Sequence, residues 1–96
     1  MEITRRTMLE RRFSPRTIEA YTGWIRRYIV FHGRRHPSEL DADDVRAFLS
    51  DLAVKRRVSA STQNQAMAAI AFLYEGVLRR PLGVVEGVAP ASVSRR

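Results

Sequence analysis

The side chains best suited to chemistry lie in the uncharged stretch 59–65 (SASTQNQ), which comes directly after the basic run 55–57 (KRR). Hydroxyl and amide groups donate hydrogen bonds to phosphate oxygens, and Asn and Gln also pair with adenine in the major groove. A helix N-terminus attracts phosphate through its free backbone N–H groups and its dipole. If this stretch opens a helix, Thr62, Asn64 and Gln65 could contact nucleic acid beside the charge of residues 55–57.

The same stretch also admits a simpler interpretation. Its Ser and Thr residues could cap the helix, while its Gln and Asn residues cover a solvent-facing side. The basic run before it and the arginines on the outer face of the predicted second helix favour nucleic-acid contact, but the sequence alone leaves both interpretations open.

The other candidate catalytic groups have structural explanations. The chain has no cysteine, so thiol chemistry and cysteine-based metal sites are excluded. His32 and His36 straddle a glycine and lack a nearby third ligand. Asp41, Asp43 and Asp44 lie where a helix N-terminus would use them for capping and for its dipole. We therefore expect no catalytic residue, no metal site and no cofactor.

Charge is unevenly distributed along the chain. The net charge is +7, and all basic residues except Lys55 are arginine. Residues 1–38 carry nine arginines against three acids, residues 39–54 carry five acids against one arginine, and residues 55–96 are basic again. Folding should therefore produce one basic side and one acidic side, which suits a polyanion that approaches from one direction.

Four helices are expected, and three of them have clear start signals. The first is predicted over residues 3–12, the second begins at the N-cap Ser14, and the third at the N-cap Asp41. The fourth begins at Ser59 or Ser61. Residues 1–80 thus form one compact all-α four-helix bundle, and the Pro- and Gly-containing segment 81–96 is predicted to be a flexible linker.

Apolar residues recur at three- and four-residue spacing in each predicted helix, which gives each helix a core face. No apolar run is long enough to cross a membrane, and no signal peptide is present, so a cytoplasmic location is expected. The predicted inward-facing positions are Ile3, Thr7, Met8 and Arg11; Ile18, Tyr21, Trp24, Ile25, Tyr28 and Ile29; Val45, Phe48, Leu49 and Leu52; and Met67, Ile70, Phe72, Leu73, Val77 and Leu78.

These residues also form a familiar ordered pattern. Ser14-x-x-Thr17-x-x-x-Tyr21 is followed by the acid-capped third helix and then by 58–74 (VSASTQNQAMAAIAFLY). Over about residues 5–80, the pattern resembles the N-terminal core-binding (SAM-like) domain of tyrosine recombinases, the phage-integrase family. The segment 14–40 (SPRTIEAYTGWIRRYIVFHGRRHPSEL) most resembles the sequences of integron integrases.

The resemblance implies a domain that forms half of a clamp around double-stranded DNA at a recombination site. Its second and fourth helices would face the DNA, other recombinase protomers could bind alongside, and a separate catalytic domain would come after the linker. Ala69 stands where relatives often carry a base-reading polar residue, so base readout would be reduced. The contacts that the resemblance implies are Arg16, Ser61, Thr62 and Gln65; charge adds Arg27, Lys55, Arg56 and Arg57.

Two alternative functions remain at this point. A helix-turn-helix transcriptional regulator would explain the charge and the helices, although the connection over residues 54–58 lacks the usual glycine. A helical protein–protein adaptor would instead present an apolar groove and would have no salt-sensitive affinity for DNA.

Overall fold

All regular secondary structure in the described part of the chain is helical. The computed structural model describes residues 2–80 together with Leu82, Val85 and Val88, and no strand occurs among them. The predicted all-α, four-helix architecture is confirmed. The helices are α1 (Glu2–Glu10), α2 (Pro15–Phe31), α3 (Ala42–Val54) and α4 (Ala60–Phe72), with a 3₁₀ turn (Pro37–Glu39) before α3 and a π-helical turn (Leu73–Val77) after α4.

The predicted caps of α2 and α3 are present. The Ser14 side chain accepts the backbone N–H of Thr17 at 3.2 Å, and Pro15 lies next to it in the first turn. Asp41 and Asp44 form a reciprocal capping box, in which each carboxylate accepts the other residue's backbone N–H, at 3.3 Å and 2.9 Å. These bonds satisfy N–H groups that have no partner within the helix.

Ser59, rather than Ser61, caps α4. Its side-chain oxygen accepts the backbone N–H of Thr62 at 3.1 Å and its hydroxyl donates to the Thr62 hydroxyl at 3.0 Å. Ser61 therefore lies inside the first turn, where its side chain is exposed.

Helix α1 ends two residues earlier than predicted. Arg12 adopts a left-handed backbone conformation with φ 62°, and the N–H groups of Arg12 and Phe13 bond the carbonyls of Leu9 and Met8 at 3.0 Å each. This is the Schellman arrangement that stops a helix and reverses the chain. Because the stop falls there, Arg11 leaves the helix and is exposed.

The predicted inner face of α1 is therefore only partly correct. Met8 is fully buried as expected, whereas Arg11 and Ile3 are exposed, Ile3 by 69%. The buried polar residue on this helix is Thr4, one position further along than Ile3. The short helix has no N-terminal cap signal, and so its face could not be fixed from periodicity alone.

The core lies between α2, α3 and α4: α2 contributes the aromatic residues Trp24 and Tyr28, and α3 and α4 contribute mainly aliphatic residues. At its centre, the Tyr74 hydroxyl donates to the Pro37 carbonyl at 2.8 Å. The Tyr28 hydroxyl lies 2.9 Å from that of Tyr74, and since the Tyr74 proton is used, Tyr28 is the donor in that pair. Both rings are fully buried, so this chain of bonds keeps polar atoms satisfied inside an apolar core.

The π-helical turn changes which side chains at the end of α4 face inward. Its wider hydrogen bond, from the Leu78 N–H to the Leu73 carbonyl, adds one residue to the turn and rotates the side chains after it. Val77 and Leu78, which were predicted to face the core, are only partly buried after this turn, although Leu78 packs against the core. Phe72, the last residue of α4 and also predicted to face the core, is partly buried as well. Gly76 fits against the Phe72 ring, where a Cβ would come within 2.8 Å.

Beyond the π turn, Arg80 holds the chain against the loop before α3. Its guanidinium donates to the carbonyls of Ser38 and Leu40 at 2.9 Å and 2.6 Å and lies over the Tyr74 ring. Three residues of the predicted linker, Leu82, Val85 and Val88, pack partly buried against the core. The remaining linker residues lie outside the described part of the chain.

The tyrosine pair yields a prediction about stability. Tyr74→Phe removes the donor to Pro37 and leaves the buried Tyr28 hydroxyl without its acceptor, so the free energy of unfolding should fall by about 1–3 kcal/mol. Urea denaturation measures this. Because the two hydroxyls form one network, the Tyr28→Phe/Tyr74→Phe double variant should lose less than the sum of the single losses. Strict additivity would show that the hydroxyls act independently.

The same pair should make the fold sensitive to alkali. Burial raises the pKa of the Tyr28 hydroxyl, as does its bond with Tyr74, and burial also raises the pKa of Tyr74. The unfolded chain thus loses these protons first, at its ordinary pKa of about 10. Ionisation of these tyrosines should leave the free energy of unfolding unchanged below that pH and should lower it above that pH. Urea titrations from pH 8 to 11 test this, and the double phenylalanine variant should show a flatter profile.

Candidate nucleic-acid interface

A hydrogen bond between two side chains joins the outer edges of α2 and α4. The indole N–H of Trp24 donates to the Gln65 side-chain oxygen at 3.0 Å, across 41 residues of sequence. Trp24 is buried and Gln65 is exposed, so the bond lies at the rim of the core. We call the surface along this line the α2–α4 seam.

On the α2 side of the seam, four residues at four-, three- and four-residue spacing share one face: Arg16, Ala20, Gly23 and Arg27. The two arginines are exposed and about 16 Å apart along the helix axis, given the helical rise of 1.5 Å per residue. A Cβ built on Gly23 would meet no atom within 4 Å. Small residues therefore leave an open, flat surface between two cations.

Arg27 is held against the seam by an aromatic ring. Its guanidinium carbon lies 4.5 Å from the centre of the Trp24 ring, a cation–π distance. Trp24 thus connects Arg27 with Gln65, two residues that were predicted separately as DNA contacts. Trp24 was expected in the core, and its role in orienting both neighbours could not be predicted without the tertiary contact.

A groove of about 300 Å³ next to Arg27 collects further positive charge. Arg26 and Arg27 from α2 line it together with Arg56 from the turn after α3, so two of the predicted DNA contacts meet there; Asp51 is the acidic residue in its lining. Arg56 is also 4.0 Å from the Asp51 carboxylate, which offsets part of its charge. Arg26 is a further candidate contact that was not predicted, although its position beside Arg27 was a signal. Apolar side chains complete the groove: Val30, Phe31, Phe48 and Leu52.

The basic run 55–57 forms an ordered turn between α3 and α4. Lys55, Arg56 and Arg57 are all exposed, and Arg57 has a left-handed backbone with φ 54°, where the usual helix stop would place a glycine. The N–H groups of Lys55 and Arg56 bond the Asp51 carbonyl at 2.9 Å and 3.2 Å. The backbone is therefore fixed while the three side chains remain available at the surface.

The polar stretch that opens α4 divides into an inner and an outer group. The Thr62 hydroxyl accepts a hydrogen bond from the hydroxyl of the N-cap Ser59, and the Gln63 amide donates to the Leu49 carbonyl at 3.1 Å. These two residues therefore stabilise the start of α4. Ser61, Asn64 and Gln65 are exposed on the other side. The predicted contacts thus separate: Ser61 and Gln65 lie at the surface, whereas Thr62 is partly buried and already bonded.

The acidic segment 39–54 carries its own counter-charges. The Arg46 guanidinium lies 3.0 Å from the Asp43 carboxylate, and Arg35 pairs with Glu39 at 3.8 Å. Arg16 and Arg27, in contrast, form no ion pair within residues 2–80. Unpaired arginines on the seam are free to meet an external anion, while those on the acidic side are neutralised.

The histidines serve local structure. His32 bonds the Asp44 carbonyl through Nε2 at 2.8 Å, and the His36 ring accepts the backbone N–H of Ser38 at 3.1 Å. No group of three His, Asp or Glu side chains within the described ranges is placed to hold a metal ion. No helix among residues 2–80 is long and apolar enough to span a membrane.

Comparison with known proteins agrees with this architecture. Residues 1–84 match the family model described as "Phage integrase, N-terminal SAM-like domain". Curated relatives from Escherichia coli and Pseudomonas aeruginosa, each named "Integrase/recombinase", are 46% identical over 84 residues.

The match covers 88% of this chain but 25% of each relative, so the chain spans about a quarter of the length of the curated relatives it matches. The family model covers the four helices and both edges of the α2–α4 seam. The chain belongs to the family of phage-integrase N-terminal SAM-like domains.

Proposed function

We propose that this domain is the DNA-binding module of a site-specific tyrosine recombinase and that it forms half of a clamp around duplex DNA. The α2–α4 seam faces the duplex. The chemistry of strand cleavage and rejoining belongs to a catalytic domain in the full-length protein, to which residues 81–96 lead. Other recombinase protomers on the same DNA are the remaining proposed partners.

The observation that carries this proposal is the convergence of exposed cations with exposed hydrogen-bonding groups along one seam. Arg16 and Arg27 flank a flat strip of α2, and Arg27 shares a groove with Arg26 and Arg56. Half of the acidic residues lie in segment 39–54, where Glu39 and Asp43 pair with arginines outside the seam; of these acids, Asp51 alone lines the groove, beside Arg56. A polyanion would therefore be attracted to one side of the domain.

Within the seam, the arginines and Lys55 contact phosphates, which sets affinity and orientation without reading sequence. Ser61, Asn64 and Gln65 are the groups placed to reach base edges or phosphates from α4. Gln65 uses its oxygen for Trp24, so its amide nitrogen is the group left for DNA. Binding by this domain alone should be weak, on the order of 10⁻⁴–10⁻⁶ M, the range of non-specific contacts.

The two alternatives fare less well. The relatives named "Integrase/recombinase" give no support to a transcriptional regulator, and five residues separate α3 from α4, more than the three- to four-residue turn of a helix-turn-helix motif. A protein–protein adaptor would require that the domain lack salt-sensitive DNA affinity.

The first functional prediction concerns the basic run. The Lys55/Arg56/Arg57→Ala variant should bind a fluorescently labelled duplex of about 30 bp at least tenfold more weakly at low salt. The slope of log affinity against log salt concentration should also decrease in magnitude by about 2–3, because each lost phosphate contact lowers that magnitude by about 0.9. Fluorescence anisotropy across a salt series measures both quantities.

The matched control removes the same charge from the acidic side. Arg34/Arg35/Arg46→Ala also lowers the net charge by three but alters residues in or next to segment 39–54. It should leave most of the affinity intact. Equal losses in the two triple variants would mean that net charge alone governs binding, and no binding by the unaltered chain at low salt would favour the adaptor.

The second prediction separates the outer from the inner group of α4. Ser61→Ala should lower DNA affinity about two- to fivefold with the stability unchanged, since the side chain is exposed. Thr62→Ala should lower the free energy of unfolding by about 0.5–1.5 kcal/mol, because the Ser59 hydroxyl loses its partner. Anisotropy and urea denaturation on both variants test this; a stability loss in Ser61→Ala alone would reverse the assignment.

A further inference from the structure

The turn between α1 and α2 carries Arg11 and Arg12, and Arg16 follows in the first turn of α2; of the three, only Arg16 was predicted as a DNA contact. Arg11 and Arg12 precede Phe13, and all three arginines are exposed. No ion pair joins any of them to a carboxylate within residues 2–80. Arg5 on the neighbouring helix α1 differs, because it lies 3.9 Å from Glu19.

The position of Arg11 is fixed by an aromatic cluster at the end of the seam. Its guanidinium carbon lies 5.6 Å from the centre of the Phe72 ring. Phe72 packs against Phe13 and Tyr21, with ring centres 5.1 Å and 6.3 Å away. The ring therefore holds a cation from the end of α1 against the surface of α4.

Phe72 also relates this cation to the rest of the interface. It lies seven residues after Gln65, two helical turns further along the same face of α4. Arg11 is thus on the seam, at the end away from the groove of Arg26, Arg27 and Arg56. Glu10 is the nearest acid in sequence, and it forms no ion pair with Arg11 within residues 2–80.

We propose that Arg11, seated on Phe72, is part of a second phosphate-contact patch that it forms with Arg12 and Arg16 at the α1–α2 turn. This inference rests on the proposed function and extends it: the end of α1 becomes a third DNA-contacting element. Arg16 and Arg27 are about 16 Å apart on α2, so the two patches would meet phosphates about five base-pair steps apart, at 3.4 Å per step.

The test is Arg11→Ala in the 96-residue chain, measured by anisotropy on the same 30-bp duplex over a salt series. The affinity should fall roughly three- to tenfold and the salt slope by about 1. Arg46→Ala is the matched control, since it removes an exposed arginine that is paired with Asp43. It should change neither value.

Phe72→Leu tests the aromatic seat, because leucine keeps an apolar side chain but removes the ring beneath the guanidinium. It should weaken binding less than Arg11→Ala does, and adding it to Arg11→Ala should cause no further loss. Melting temperatures confirm that the variants remain folded. A further loss in the double variant would contradict the seating of Arg11 by Phe72.

The outcomes distinguish this inference from the function on which it rests. If Arg11→Ala binds like the unaltered chain while Lys55/Arg56/Arg57→Ala loses affinity, the second patch is wrong and the DNA-binding proposal stands. If neither variant loses affinity, both proposals fail.

Discussion

The buried Tyr74 hydroxyl links the segment after α4 to α2 and to the loop before α3. A hydroxyl in an apolar core needs a partner, and this one bonds the Pro37 carbonyl before α3 and the Tyr28 hydroxyl on α2. One side chain after α4 is thereby linked to two other parts of the chain. Arg80, over the same ring, binds the Ser38 and Leu40 carbonyls and reinforces the link. These bonds hold α2 against α4, and Trp24 and Gln65 meet as a result.

Local interactions were the predictable part of this fold. Ser14 and the Asp41–Asp44 pair cap helices through bonds that span three residues, so the sequence reveals them directly. The limits of α1 and the course of the chain after Phe72 depend on less regular features. Arg12, with a left-handed backbone conformation, ends α1 where periodicity alone would continue the helix. A π-helical turn rotates the side chains after Phe72.

The candidate site was predictable in its charge but not in its assembly. Arginine content and the polar start of α4 indicate a polyanion, whereas the roles of individual groups depend on partners far away in sequence. Gln65 bonds Trp24 and Gln63 bonds Leu49, so neither amide is simply a free DNA-reading group. Helical spacing placed Arg11 on the inner side of α1, whereas it lies over the Phe72 ring, 61 positions later in the chain. Periodicity cannot report such contacts.

Within residues 2–80, four arginines have a left-handed backbone conformation where a helix stops, and two of them lie in the proposed DNA interface. Arg12, Arg34, Arg57 and Arg79 have positive φ, a conformation that glycine adopts without penalty and that costs other residues about 1–3 kcal/mol each. Arginine at such a stop is therefore unfavourable for folding alone. Arg12 lies in the proposed patch at the α1–α2 turn, and Arg57 in the basic run before α4. An anion bound at either turn would compensate for the backbone strain through a contact that glycine lacks.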